Sequence, residues 1–118
     1  MEFLDKDLVS IQETRGLIRK AKEAQSKLAR MSQQDIDRIV KAISDAAYEN
    51  SEKLAKMANE ETGFGKWEDK VLKNVFAART VYESIKDTKT VGIVEENVEK
   101  RAFKIMVPVG VVAGLIPS

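Results

Sequence analysis

The chain has 118 residues, which is enough for one modest domain and too few for two ordinary ones. Its 20 basic and 19 acidic residues give a net charge of +1, so charge provides no case for binding nucleic acid or an anionic membrane. It contains no cysteine and no histidine, which excludes disulfides, thiolate zinc sites, a cysteine nucleophile and the usual neutral-pH general base from these residues.

The first residues predict neither a secretory leader nor a membrane span. Glu2, Asp5 and Asp7 occupy the region that is basic in a signal peptide, and no long apolar segment follows them. A cytoplasmic location is therefore the default expectation. Residues 1–9 show little periodicity and are expected to form a loose lead-in.

Residues 10–89 are predicted to form a helical segment. Ser10 and Glu13 have the spacing of a capping box, which predicts that the first helix begins at Ser10. Gly16 weakens this prediction because glycine disfavours a helix interior. Four residues recur on one face of this helix: Ile18, Ala21, Gln25 and Leu28.

A second helix is predicted to begin at Ser32, with Asp35 as the capping-box partner and Met31 and Ile36 as a hydrophobic staple. Its apolar stripe consists of Ile36, Ile39, Val40, Ile43 and Ala47.

A third helix, or a bent continuation of the second, is predicted to be capped by Asn50 or Ser51. Gly63 and Gly65 are expected to end it, because glycine adopts the left-handed conformation without a Cβ penalty. Its predicted inner face consists of Leu54, Met57 and Ala58.

The fourth helix has the clearest pattern, with spacings of four and three residues between its apolar positions. Glu68 and Asp69 in its first turn and Lys86 near its end suit the helix dipole. Its single tryptophan is expected to pack in the core rather than to form a ligand platform. The stripe consists of Trp67, Val71, Val75, Ala78, Tyr82 and Ile85.

Residues 90–106 are predicted to form a two-stranded β-ribbon. Thr90–Glu95 is rich in β-favouring residues and Arg101–Val107 alternates between apolar and polar side chains, with a polar turn at Glu96–Lys100 between them. A two-stranded ribbon is only marginally stable alone, so we expect this one to join another sheet.

The last stretch, Val107–Ser118, is predicted to be a strand. Val109–Ile116 is uncharged and rich in valine, which is typical of a strand buried on both faces of a parallel sheet. No crossover helix or parallel partner follows Ser118, so we expect the chain to be the front part of a longer α/β protein. Ligands of such sheets bind beyond the carboxyl ends of the strands. The predicted rim of a cofactor crevice is therefore Leu115, Ile116, Pro117 and Ser118.

Other short patterns favour structural interpretations. Gly110 and Gly114 lie inside the apolar stretch and lack the third glycine and following helix of a dinucleotide fingerprint. Gly63–Lys66 lacks the remaining spacing of a phosphate loop and is expected to be a helix–helix turn. Glu60–Glu61 and Glu68–Asp69 are adjacent pairs, which do not face each other on a helix, so no metal site is predicted.

Four segments carry a resemblance to a known family. Val107–Ser118 resembles the strand that opens the NAD-binding domain in the aldehyde dehydrogenase superfamily. Glu61–Gly65, Glu68–Asn74 and Tyr82–Asp87 are similar to the CoA-acylating aldehyde dehydrogenases, including the aldehyde dehydrogenase half of bifunctional aldehyde-alcohol dehydrogenases. The resemblance runs from about residue 10 to the end of the chain.

The resemblance implies an α/β fold: N-terminal helices, a β-ribbon, and at residues 107–118 the incomplete start of a Rossmann-like NAD-binding domain. The ribbon at 90–106 would belong to the arm through which subunits of a homo-oligomer associate. The implied reaction oxidises a small aldehyde with NAD and passes the acyl group to CoA through a cysteine thioester.

The resemblance also limits what these residues can do. The family's catalytic cysteine and the asparagine that helps to hold the oxyanion are both missing from these 118 residues, so no catalytic residue is carried over. Only Leu115–Ser118 is carried over, as the edge of the NAD pocket, and the fragment is expected to be inactive alone. Two alternatives stay open: a segment of a hydrolytic aldehyde dehydrogenase, and a stand-alone helical interaction module whose last strand joins a partner's sheet.

Overall fold

The computed structural model describes residues 5–116, in which helices precede a two-stranded ribbon. α4, a π-helical segment and α5 follow one another without a break, and together they are called the long helix. The elements are α1 (Lys6–Leu28), α2 (Gln33–Glu49), α3 (Ser51–Thr62), α4 (Trp67–Val75), the π segment (Phe76–Val81), α5 (Tyr82–Ile85), β1 (Gly92–Asn97) and β2 (Ala102–Met106).

α1 begins earlier than predicted. Asp5 is the extended N-cap residue, and its carboxylate accepts a hydrogen bond from the Asp7 amide at 3.2 Å. The helix therefore starts at Lys6 and passes through Ser10, so the lead-in prediction is wrong from Lys6 onward. Gly16 does not interrupt the helix, because one glycine weakens a 23-residue helix without ending it.

The predicted start of α2 is confirmed. The Asp35 amide donates to the Ser32 hydroxyl at 3.2 Å, and the Ser32 amide donates to the Asp35 carboxylate at 3.4 Å. The Ser32 hydroxyl also donates to the Asp35 carboxylate at 2.8 Å, and this bond, followed by that from the Ser32 amide, holds the pKa of Asp35 below its ordinary value. Asn50 both ends α2 and begins α3, so α3 is a bent continuation of α2.

The turn between α3 and α4 is the predicted helix–helix turn. Gly63 and Gly65 have φ angles of 68° and 67°, in the left-handed region that favours glycine. The Asn59 side-chain amide donates to the carbonyls of Phe64 and Gly65 at 3.2 and 2.8 Å. This side chain therefore holds the turn closed from within the last helical turns of α3.

Small side chains lie at the closest helix contacts. α3 packs against α4, and α2 packs against the π segment. Ala55 and Ala78 are 1% and 6% exposed and are the buried apolar residues of the described chain. The inner face of α3 therefore runs through Ala55. Of the residues predicted to form it, Ala58 is half-buried, whereas the prediction is wrong for Leu54 and Met57, which are about half exposed.

The ribbon forms as predicted, within two residues at each end. β1 and β2 are antiparallel, with Ile93 opposite Ile105 and a bulge before Glu95. The ribbon is held to α2 by Gln33, whose side-chain oxygen accepts from the amides of Thr90 and Val91 at 2.7 and 3.0 Å.

The predicted strand at Val107–Ser118 is not formed over residues 107–116 in this structure. A strand is stabilised by hydrogen bonds to a neighbouring strand, and none of the residues from 5 to 116 pairs with this segment. Val109 and Leu115 are 90% and 100% exposed. Its assignment as the first strand of an NAD-binding domain stays a prediction, and Pro117 and Ser118 lie outside the described residues.

The molecule is extended. Its radius of gyration is 19.3 Å, with extents of 68 × 38 × 22 Å. A compact chain of this length has a radius of gyration of roughly 13 Å. Within residues 5–116 no helix combines the length and apolar character needed to cross a membrane.

Candidate functional site

The predicted cofactor rim reaches an open cavity of about 790 Å³ beside the α3–α4 turn. Ile116 lies at this cavity, whereas Leu115 does not line it and is fully exposed. The structure therefore brings one of the predicted rim residues to a possible ligand site. The cavity is lined by Ala58, Glu61, Thr62, Phe64, Lys70, Lys73 and Ile116.

The α3–α4 turn positions one wall of the cavity. The Thr62 hydroxyl donates to the Ala58 carbonyl at 2.7 Å and accepts from the Phe64 amide at 3.2 Å. Because Gly63 reverses the chain directly after Thr62, Phe64 projects into solvent and remains mostly exposed. Lys70 and Lys73 also line the cavity, and because they are three residues apart they share one face of α4.

The cavity combines apolar and charged side chains. Ala58, Phe64 and the 94% exposed Ile116 supply apolar surface, and one carboxylate, Glu61, lines the cavity together with the two lysines. Such a surface suits an organic ligand that carries a negative group. None of the lining residues is a cysteine or a histidine, so the cavity supplies neither a thiol nor an imidazole base.

Sequence reasoning missed Lys70 and Lys73 as cavity residues. A usable signal was present, since two lysines three residues apart place two positive charges on one helix face. The position of the α3–α4 turn beside these lysines was not readable, because it depends on how two helices cross.

Trp67 does not offer an open ligand platform. Its ring is half-buried, and the Lys56 amino group lies 4.5 Å from the ring centroid. A cation at this distance from a tryptophan ring is attracted by the negative face of the ring. Trp67 therefore contacts α3, but it is not among the buried apolar residues, so the expectation that it packs in the core is wrong.

The segment Glu68–Asn74, which resembles the CoA-acylating aldehyde dehydrogenases, also has a structural role. The Asn74 side chain donates to the Ser51 carbonyl at 3.0 Å, in a partly buried contact between α4 and the first residue of α3. This bond joins the long helix to the bend between α2 and α3. Part of the segment therefore holds the wall that carries Lys70 in place.

A second, apolar groove of about 300 Å³ runs between α2 and the long helix. Asp45 lies on α2, and its carboxylate forms ion pairs with Lys41 at 2.5 Å and with Arg79 at 2.9 Å. The hydrogen bond from Lys41, followed by that from Arg79, lowers the pKa of Asp45.

Among residues 5–116, no group of three or more His, Cys, Asp or Glu side chains is placed to hold a metal ion.

The family model of the aldehyde dehydrogenase family matches residues 8–117. This chain belongs to the aldehyde dehydrogenase family. Its likeness to the CoA-acylating branch is also confirmed. The chain is 46% identical over 109 residues to succinate-semialdehyde dehydrogenase (acetylating) of Clostridium kluyveri, covering 92% of this chain and 23% of that protein. It is 36% identical over 111 residues to bifunctional aldehyde-alcohol dehydrogenase AdhE of Escherichia coli K12, covering 94% of this chain and 12% of that protein.

Two solved aldehyde dehydrogenase structures have the same arrangement of helices and small sheet. One is an acetylating aldehyde dehydrogenase from Geobacillus thermoglucosidasius, with a TM-score of 0.83 and 54% identity over 86% of this chain and 22% of that chain. The other is a probable aldehyde dehydrogenase from Listeria monocytogenes EGD-e, with a TM-score of 0.83, 62% identity and the same coverage. The chain therefore spans less than a quarter of the length of these family members.

Proposed function

We propose that this chain is the N-terminal part of an NAD-dependent oxidoreductase that converts an aldehyde and CoA to acyl-CoA. The observation that carries the proposal is the similarity to relatives of the acylating type across almost the whole chain. Besides the C. kluyveri protein, these include sulfoacetaldehyde dehydrogenase (acylating) of Bilophila wadsworthia, which is 41% identical over 100 residues. The hydrolytic and interaction-module alternatives gain no support from these relatives.

The role of this chain in that reaction is to bind rather than to react. We assign residues 107–118 to the first strand of the NAD-binding domain, with Leu115–Ser118 at the edge of the NAD pocket. The exposure of Val109 and Leu115 supports this assignment, because both gain stability when neighbouring strands and helices cover them. NAD would accept the hydride and CoA the acyl group.

The catalytic groups would come from other parts of the protein, so this chain alone is expected to be inactive. Its sequence supplies neither a cysteine to form the thioester nor a histidine. The cavity at Ile116 adds Lys70 and Lys73 to the edge of the site, where they would favour a ligand with a negative group.

The ribbon at residues 90–106 is proposed as the arm of a homo-oligomer in the cytoplasm. Both outer edges of β1 and β2 lack a neighbouring strand among the described residues, and such edges pair readily with other chains. Ile93, Phe103 and Ile105 are all more than half exposed on this ribbon. A second subunit would cover them.

A chimera tests the proposed function directly. Residues 8–117 would replace the matching segment of the C. kluyveri enzyme, and the product formed from aldehyde, NAD and CoA would be analysed. We expect NADH formation that requires CoA and yields acyl-CoA. The control is the parent enzyme in which its own segment has been excised and reinserted at the same splice sites. A folded chimera that releases free acid, or that forms no NADH while the spliced parent remains active, would contradict the proposal.

A further inference from the structure

The long helix contains a π segment at Phe76–Val81, where one turn is wider than in an α-helix. The backbone amide of Tyr82 donates to the Arg79 carbonyl, three residues earlier, so the long helix tightens again where the π segment ends. In an α-helix the same amide would donate to the Ala78 carbonyl, four residues earlier. The Ala78 carbonyl is therefore released from its α-helical partner.

Ser44 on α2 supplies a hydrogen bond to the released carbonyl. Its hydroxyl donates to the Ala78 carbonyl at 2.5 Å, across 34 residues of sequence. Ser44 is 7% exposed and Ala78 is 6% exposed, so water has little access to this bond. A buried carbonyl without a donor is costly, and the Ser44 hydroxyl removes that cost where the Tyr82 amide does not donate to Ala78.

A neighbouring contact holds the same turn. The Arg79 guanidinium bonds to Asp45 at 2.9 Å and lies 4.2 Å from the centroid of the Tyr48 ring. Asp45 and Tyr48 are on α2, one and four residues after Ser44. α2 therefore contacts the two central residues of the π segment, Ala78 and Arg79, from one side.

The register of the π segment decides where the end of the long helix points. One additional residue in a turn rotates all following side chains by about 100° around the helix axis. Tyr82 and Ile85 follow the π segment and line a groove of about 300 Å³ together with Ile36, Val40 and Thr90, beneath the start of the ribbon. We infer that Ser44 is a positioning residue that selects the π register and so directs Tyr82 and Ile85 into this groove.

The test is to identify the hydrogen-bond acceptor of the Tyr82 amide by scalar coupling across the bond in NMR spectra. In the wild-type chain we expect coupling to the Arg79 carbonyl. In Ser44→Ala the buried Ala78 carbonyl loses its donor, so we expect the coupling to move to Ala78 as the segment returns to the α register. The matched control is Ser26→Ala, which removes an exposed hydroxyl bond to Lys22 within α1 and should leave the Arg79 coupling unchanged.

A second variant keeps the inference testable if Ser44→Ala does not fold. Ser44→Cys preserves most of the side-chain volume with a weaker donor, so the fraction of chains with the Ala78 coupling should rise above that of the wild type. Coupling to Ala78 in the wild type would overturn the inference. Unchanged Arg79 coupling in whichever Ser44 variants fold would overturn it as well.

Discussion

At the residue scale, polar side chains determine how α2 and α3 are joined to the long helix. The apolar core of residues 5–116 is small, since Ala55 and Ala78 are its buried apolar members. Directional contacts therefore have a larger part in fixing the helix register than they have in a well-filled core. The three contacts are Ser44 with Ala78, Asp45 with Arg79, and Asn74 with Ser51.

The Asp45 contact predicts a specific pH dependence. Because Lys41 and Arg79 lower the pKa of Asp45 in the folded chain, its stabilising effect is complete above the ordinary aspartate pKa of about 3.9. That effect is lost as the pH falls through the lower folded pKa. We expect Asp45→Asn to reduce the thermal midpoint at pH 6 and the difference from wild type to shrink below about pH 4.

Thermal unfolding followed by circular dichroism between pH 2 and pH 6 measures this difference. Glu99→Gln, on the exposed turn of the ribbon, is the control and should show no comparable pH dependence. A constant difference between wild type and Asp45→Asn over the whole range would show that the charge of Asp45 is not responsible.

The Asn74 contact predicts a loss of stability. Asn74→Ala removes the donor to the Ser51 carbonyl in a partly buried place, and we expect the free energy of unfolding to fall by about 1 kcal/mol. Asn74→Asp should cost more, because a carboxylate oxygen would then face the carbonyl. Urea unfolding measures both, with exposed Lys73→Ala as the neighbouring control. Equal stability of wild type and both Asn74 variants would show that this bond does not contribute to the free energy of unfolding.

The sequence predicted local contacts better than distant ones. Ser32 and Asp35 were identifiable as a cap because both partners lie within one helical turn and their chemistry is specific. Ser44 looked like an ordinary polar residue on α2. Its partner is a backbone carbonyl 34 residues away, and no side-chain pattern marks a carbonyl that a π segment has released.

At the element scale, the order of helices and ribbon was predictable and the details of their ends were not. Asp5 and Ser10 are both acceptable caps for α1, and the longer helix forms because it gains additional backbone hydrogen bonds. The π segment was not predictable, because the apolar spacing from Trp67 to Ile85 is that of an ordinary amphipathic helix.

Two glycines in different elements should respond oppositely to the same substitution. Gly16 lies inside α1, and a Cβ there meets no atom within 4 Å, so Gly16→Ala should stabilise α1 by up to about 1 kcal/mol. Gly63 has a φ of 68°, so Gly63→Ala should destabilise the α3–α4 turn by about 1–2 kcal/mol.

Amide hydrogen exchange distinguishes the two outcomes. Exchange in α1 should slow in Gly16→Ala, and exchange near Phe64 should accelerate in Gly63→Ala. Slower exchange in both variants would mean that the left-handed backbone at Gly63 carries no strain cost.

At the scale of the whole molecule, the extended shape and exposed apolar segment at Val107–Ile116 have one explanation. Val109, Leu115 and Ile116 are at least 90% exposed, and the strand that the sequence predicts here finds no partner among residues 5–116. Strand formation depends on neighbours that are often far away in sequence, whereas a helix satisfies its backbone internally. This difference explains why the helices form and the predicted strand does not.

The same segment should control the solution behaviour of the isolated chain. An uncharged, valine-rich segment with free backbone groups pairs readily with other chains. We expect removal of residues 107–118 to improve solubility and reduce association in light scattering, while the helical circular dichroism remains largely intact. A monomeric full chain at high concentration, with slow amide exchange in Val109–Ile116, would contradict this expectation.

The most direct measurement of the central claim is product analysis on the complete protein that contains this chain. The purified protein would be supplied with a small aldehyde, NAD and CoA, and the products would be separated and identified. We expect acyl-CoA in equal amount to NADH, and little NADH when CoA is omitted. Free acid formed with NADH and without acyl-CoA would contradict the assignment to the acylating branch of the family.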